Sequence, residues 1–132
     1  MNQILLESAV AAREFAYAPY SGYKVGAAIL DVEGNVWTGC NVENVSYGLS
    51  ICAERTAVVK MVSGGVRVIQ AVAVATQDGG TPCGMCLQTL LEFALEPQSV
   101  AVFTIAGSGE VKRFFLGDLM PMGFSSDELR RT

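Results

Sequence analysis

The spacing of apolar positions changes period several times along the chain, and each change marks an element. From residue 3 to 17, Leu5, Ala9, Ala12 and Ala16 recur at i, i+4, i+7 and i+11. That is one stripe of a helix, and because it is mostly alanine the helix can pack closely. Pro19, Ser21 and Gly22 end it in a turn. Residues 23–31 and 35–40 read as two strands joined by Glu33-Gly34-Asn35. So short a connection makes an antiparallel hairpin. A loop rich in Asn, Ser and Gly covers 41–50, and a second helix is expected over 52–63, stopped by Gly64-Gly65. Residues 68–76, VIQAVAVAT, are apolar and β-branched, as suits a central strand buried on both faces. After Gly79, Gly80 and Pro82, a third helix over 83–95 carries Leu87, Leu90, Leu91, Ala94 and Leu95 on one face. Residues 100–106 and 110–116 are two more strands, linked too tightly to be parallel.

The order is helix, hairpin, helix, strand, helix, hairpin. It predicts an α/β fold in three layers, α/β/α, around a five-stranded mixed sheet. The link from the third strand through the third helix to the fourth is long enough for a right-handed parallel crossover. The 132 residues suit a single domain spanning 1–132.

Composition narrows the partners. Nine Lys and Arg face thirteen Asp and Glu, and Lys24, Lys60 and Lys112 are scattered. Without a positive stripe, no nucleic-acid partner is expected. Apolar residues make up 51%. That share is high for a small domain and suggests surface buried against other subunits. No apolar run approaches the roughly 20 residues of a membrane span, so no membrane partner is expected. Met1 to Leu6 lack the pattern of a secretion signal, so the expected location is cytoplasmic.

The chain has no His. Ser-His-Asp and Cys-His catalysis, His-based zinc protease sites and facial iron triads are therefore excluded. A soft-metal site must use cysteine, and a proton must travel on a carboxylate, Lys, Tyr, Cys or water. Cys52 opens Cys-Ala-Glu-Arg at the head of the second helix, and Cys83 and Cys86 form Pro-Cys-Gly-Met-Cys at the head of the third. Helix N-termini stabilise thiolates. Three thiolates with one open position describe a catalytic zinc site. Glu54, two residues after Cys52, falls near such a metal but not on it, where a carboxylate can take a proton from water. Arg55 can offset the extra negative charge of a third thiolate. Other readings stay open. Cys40 could close a structural Cys₄ site, although its strand position suits a small buried apolar residue better. A redox Cys-x-x-Cys pair would leave Cys52-Ala-Glu unexplained. Standing alone, Glu54 would be an ordinary acid in the first helical turn.

Four stretches are AYAPYSGYKVGAA at 16–28, GCNVENVSYGLSICAERTA at 39–57, PCGMC at 82–86 with LLEF at 90–93, and LMPMGFSSDEL at 119–129. Together, in this order and spacing, they resemble the small, homotetrameric cytidine deaminases. The resemblance implies zinc on Cys52, Cys83 and Cys86, with water in the fourth place and Glu54 as the proton shuttle. It implies hydrolytic deamination of free cytidine or deoxycytidine to uridine or deoxyuridine with release of ammonia, a pyrimidine salvage reaction. It assigns Asn41 and Glu43 to the ribose hydroxyls, the Ala53 backbone to the base, and Tyr23 to a position near the base where Phe is common. Tyr47 and Phe124 would lie near a neighbouring subunit's site in a homotetramer.

One departure stands out. The family usually has Arg-Gln after the second cysteine of PCGMC, and here Leu87-Gln88 stands there. Leu87 either fills core or, by removing a cation, loosens the pocket toward cytidines substituted on N4. The competing functions are a related aminopyrimidine nucleoside deaminase, of blasticidin or modified-nucleoside type, and a non-catalytic Cys₄ zinc protein. A polynucleotide deaminase is disfavoured by the charge and by the tight 106–110 connection.

Overall fold

The VIQAVAVAT segment lies at the centre of the sheet, and the rest of the chain is arranged around it. The structure, a computed structural model, describes residues 2–125. The chain runs α1 (Asn2–Arg13), β1 (Gly26–Asp31), β2 (Val36–Cys40), α2 (Ala53–Ser63), β3 (Ile69–Ala75), α3 (Gly84–Glu92), β4 (Ala101–Ile105), β5 (Val111–Phe115) and a one-turn α4 (Leu116–Leu119). The strand order is β2-β1-β3-β4-β5. β3 and β4 are parallel and every other neighbouring pair is antiparallel. The parallel pair falls where the crossover through α3 was expected.

Period-two alternation gives β3 two different faces. Val72 and Val74 point into a core with Ile29, Val102, Ala57, Val58 and Met61 of α2, and Leu87 and Leu90 of α3. Ala71, Ala73 and Ala75 point the other way, against Leu5, Leu6 and Ala9 of α1. Leu87 is only 7% exposed, so in this position the departure from Arg fills core.

Two glycines let helices approach the strands closely. A Cβ on Gly39 would sit 2.6 Å from the Ala53 carbonyl oxygen, and one on Gly26 would sit 2.1 Å from that of Ala9. The hairpin turn is organised by buried Asp31. Its Oδ1 accepts from the Glu33 and Asn35 backbone N–H groups at 2.8 and 3.0 Å, and its Oδ2 from Trp37 Nε1 at 2.8 Å. The Trp37 ring also lies against Gly64, the C-cap of α2.

Three boundaries differ from expectation. α1 stops at Arg13, not 17, because Tyr17 is drawn into an extended bridge: its N–H donates to the Asn41 carbonyl and its own carbonyl accepts from Glu43 N–H. α3 stops at Glu92 because the Phe93 carbonyl is taken by the Ile69 N–H at 3.0 Å. Leu95 is consequently 78% exposed and not part of the helix's apolar face. The first strand starts at Gly26, not 23. The lead-in is held instead by the Asn41 side chain, which accepts from Val25 N–H and donates to the Tyr23 carbonyl. α4 was not expected; Leu116 anchors it with no exposed surface. Cys40 is half-buried, not buried, and lines a surface groove beside α1. No helix among the described residues is long and apolar enough to cross a membrane.

Candidate active site

Cys52 and Cys83 are the N-caps of α2 and α3, both with extended backbone. Cys86 follows in the first turn of α3. This arrangement brings three sulfurs within 4.8 Å of one another. Cys52 and Cys83 Sγ are 4.0 Å apart, and Cys83 and Cys86 Sγ 3.4 Å. Metal–sulfur bonds of about 2.3 Å in a tetrahedron space sulfurs by about 3.8 Å, so the donor set fits zinc in both chemistry and span. Cys40 is not in the group. The Cys₄ arrangement is therefore not formed, since Cys40 sits on β2 against α1.

The thiols do not ionise alike. Hydrogen bonding from Cys86 comes first in holding Cys52 down to about 5; burial opposes it, and Arg55 and Cys83 add to it. Cys86, as the partner sharing that proton, is pushed up. Arg55 donates from Nη2 to the Ser50 carbonyl at 3.2 Å, and its buried Nε has no hydrogen-bond partner. Burial works against the guanidinium charge, but the Cys52 sulfur outweighs it and the Arg55 pKa rises.

Glu54 is 4% exposed and shares a pocket of about 230 Å³ with Cys52, Ala53 and Cys83. Burial, then the neighbouring Cys52 charge, pushes its carboxyl up to about 7. A carboxyl poised near neutrality can both take and give a proton. Tyr23, Asn41 and Glu43 line the same pocket. Glu43 accepts from the Tyr20 and Ser21 N–H groups and from the Ser21 hydroxyl, and these bonds hold its carboxyl below the usual range. Tyr47 is 79% exposed and Phe124 is 55% exposed, and neither lines this pocket. Phe124 is clipped to α3 through both backbone groups: Gln88 Nε2 donates to its carbonyl at 2.7 Å and Gln88 Oε1 accepts from its N–H at 3.0 Å.

Sequence reasoning missed Ser21, Val25, Val74, Thr76, Gly80 and Thr81 of the lining. One signal was available. Thr76 directly follows the central strand and opens the loop to Cys83, and the carboxyl ends of strands are where α/β sheets place their ligands.

The model of the cytidine and deoxycytidylate deaminase zinc-binding region matches residues 1–103. The chain belongs to that family. A cytidine deaminase of Halalkalibacterium halodurans is 40% identical over 130 residues, covering 97% of each chain. One of Mycobacterium tuberculosis is 42% identical over 130 residues, covering 97% of this chain and 92% of that protein. Among solved structures, the cytidine deaminase of Burkholderia pseudomallei superposes with a TM-score of 0.87 at 44% identity, covering 94% of this chain and 99% of that one. The three-sulfur cluster is the structural counterpart of the family's zinc-binding region.

Proposed function

We propose that this chain is a single-domain, zinc-dependent deaminase of free cytidine and deoxycytidine, giving uridine or deoxyuridine and ammonia. The observation that carries the reading is a buried carboxyl, Glu54, lining one pocket with Cys52 and Cys83, two of the three clustered sulfurs. Zinc on Cys52, Cys83 and Cys86 would supply a Lewis acid that makes water nucleophilic near neutral pH. Glu54 moves the protons. One goes from water to ring N3 and the second to the exocyclic amine, which leaves as ammonia while the oxygen stays at C4. Arg55 offsets thiolate charge. The Ala53 backbone orients the base, the Tyr23 ring covers it, and Asn41 and Glu43 meet the ribose hydroxyls.

The pocket favours a nucleoside over a nucleotide. Among the described residues its lining includes Glu43 and Glu54 and neither Lys nor Arg. A phosphate monoester would meet carboxylates with no cation to pair with. The exposed apolar side chains of Val45, Tyr47 and Leu49 support assembly into a homotetramer in which Tyr47 and Phe124 reach a neighbour's pocket. A cytoplasmic salvage role accords with such a substrate. Relaxed tolerance for N4 substituents gains no support from Leu87, which packs in the core and does not line the pocket.

A spectrophotometric assay across cytidine, deoxycytidine, deoxycytidylate and N4-methylcytidine tests this, with Glu54→Ala as control. Turnover of the two nucleosides but not of the nucleotide is expected. Persistent cytidine turnover in Glu54→Ala would overturn the role of Glu54. Turnover of N4-methylcytidine by the wild type would revive the looser pocket.

A further inference from the structure

Two irregular segments form neighbouring walls of the pocket. Ser21, Tyr23 and Val25 contribute one, and Thr76, Gly80, Thr81 and Cys83 the other. Each wall is held by its own hydrogen bonds. The first is held by the Asn41 and Glu43 side chains, as described above. In the second, the Thr76 hydroxyl oxygen accepts from the Gly79 and Gly80 N–H groups at 2.7 and 3.1 Å. Asp78 Oδ1 accepts from Gly80 N–H and from the Thr76 hydroxyl, both at 3.1 Å. Gly79, at φ +79°, completes a tight turn that a residue with a side chain would strain.

A side-chain bond joins these walls. The Tyr23 hydroxyl donates to Asp78 Oδ1 at 2.8 Å. The loop is tied elsewhere by Arg13 Nη2 to Gln77 Oε1 at 3.4 Å and by the Gly107 N–H to the Gln77 carbonyl at 3.0 Å, and none of these three residues lines the pocket. Asp78 itself lies outside the lining, so it touches the pocket only through Tyr23 and the turn it organises.

We propose that the Tyr23 hydroxyl and the Asp78 carboxylate form a staple between two walls of the pocket, which fixes their spacing and so sets how tightly the nucleoside is held. Asp78 is a positioning residue. It acts through Tyr23 and through the 76–80 turn, without a hydrogen bond to the sulfurs or Glu54. The staple therefore governs binding shared by ground state and transition state, and its loss raises KM while sparing kcat. This rests on the pocket being the nucleoside site.

The test compares Tyr23→Phe, Asp78→Ala, Asp78→Asn and the double variant Tyr23→Phe/Asp78→Ala as full-length, zinc-loaded protein. Tyr23→Phe keeps the ring and removes only the staple. Its KM for cytidine is expected to rise roughly five- to tenfold, what one hydrogen bond is worth, with kcat within about twofold of wild type. Asp78→Ala should raise KM at least as much. Asp78→Asn keeps an acceptor oxygen and should restore KM to within about twofold. Adding Tyr23→Phe to Asp78→Ala should change nothing further. Hydrogen exchange reads the same staple without turnover: the amides of residues 77–82 should exchange roughly tenfold faster in Tyr23→Phe, with bound zinc unchanged. Unchanged KM in Tyr23→Phe, a loss confined to kcat, additive losses in the double variant, or Asp78→Asn as weak as Asp78→Ala would each overturn the staple. Should wild type fail to deaminate cytidine, the substrate reading falls, and the exchange data alone decide whether the walls are joined.

Discussion

The two faces of the sheet are packed on different terms. On one, Val72, Val74, Ile29 and Val102 meet two helices, α2 and α3. On the other, Ala71, Ala73, Ala75 and Ala28 meet one helix, α1. Large side chains fill the gap under two helices whose starting ends converge, and that convergence brings Cys52 near Cys83 and Cys86. Small ones let α1 lie close across β1, β3 and β2. The bulky face spaces the groups of the candidate site, while the alanine face closes the sheet and contributes no sulfur to the cluster. Substitutions on the two faces should therefore fail differently: one set strips function, the other only stability.

The sharpest separation comes from Glu54→Gln, which keeps shape and removes the proton carrier. Deamination should fall about a thousandfold with zinc content and melting temperature retained. A loss of zinc would show that this position holds the metal instead. Next is Gly39→Ala. The added methyl meets the backbone of Ala53 and Ala57 and pushes α2 outward at the turn that follows Cys52. It should cost about 1–3 kcal/mol of stability and also lower the zinc-to-protein ratio measured by atomic absorption. On the opposite face, Ala73→Val overfills the space beneath α1. A similar cost of about 1–3 kcal/mol by denaturant melt is expected, with zinc and turnover per folded molecule unchanged. If Ala73→Val empties the metal site, the two faces are not independent.

The smallest effect belongs to Asp31, at the hairpin turn. Burial raises its pKa, but hydrogen bonds from Trp37, Asn35 and Glu33 outweigh that and hold it below the ordinary value. A carboxyl depressed in the folded state stabilises above its unfolded pKa, near 3.8, and that stability is lost as pH falls through the folded value. Asp31→Asn should flatten the acid side of the stability profile below about pH 4, with little change in activity. A full-sized acid limb in the variant would assign that limb to other carboxyls.

Much of this was legible because the signals are local. The V-A-V-A alternation of β3 specifies two faces, and a cysteine just before or within a first helical turn specifies where its sulfur lies. The misplaced boundaries came from long-range bonds. Tyr17 leaves its helix for Asn41 and Glu43, and Phe93 gives its carbonyl to Ile69, partners 24 or more residues away. Periodicity within a window cannot register either. Asp78 escaped for the same reason: its partner, Tyr23, is 55 residues distant. The matched segment 119–129 extends past the described residues, as does the Asp127–Thr132 tail.

Trp37 is the chain's one tryptophan. Its indole touches the Asp31 carboxylate and the C-terminal cap of α2, whereas Cys52 and Glu54 belong to the other end of that helix, about 16 Å away along its axis. The molecule thus carries its own optical gauge. Emission follows how α2 seats on the hairpin and is far from the chemistry at the opposite end. Unfolding that unseats this end of α2 can be followed with no label attached.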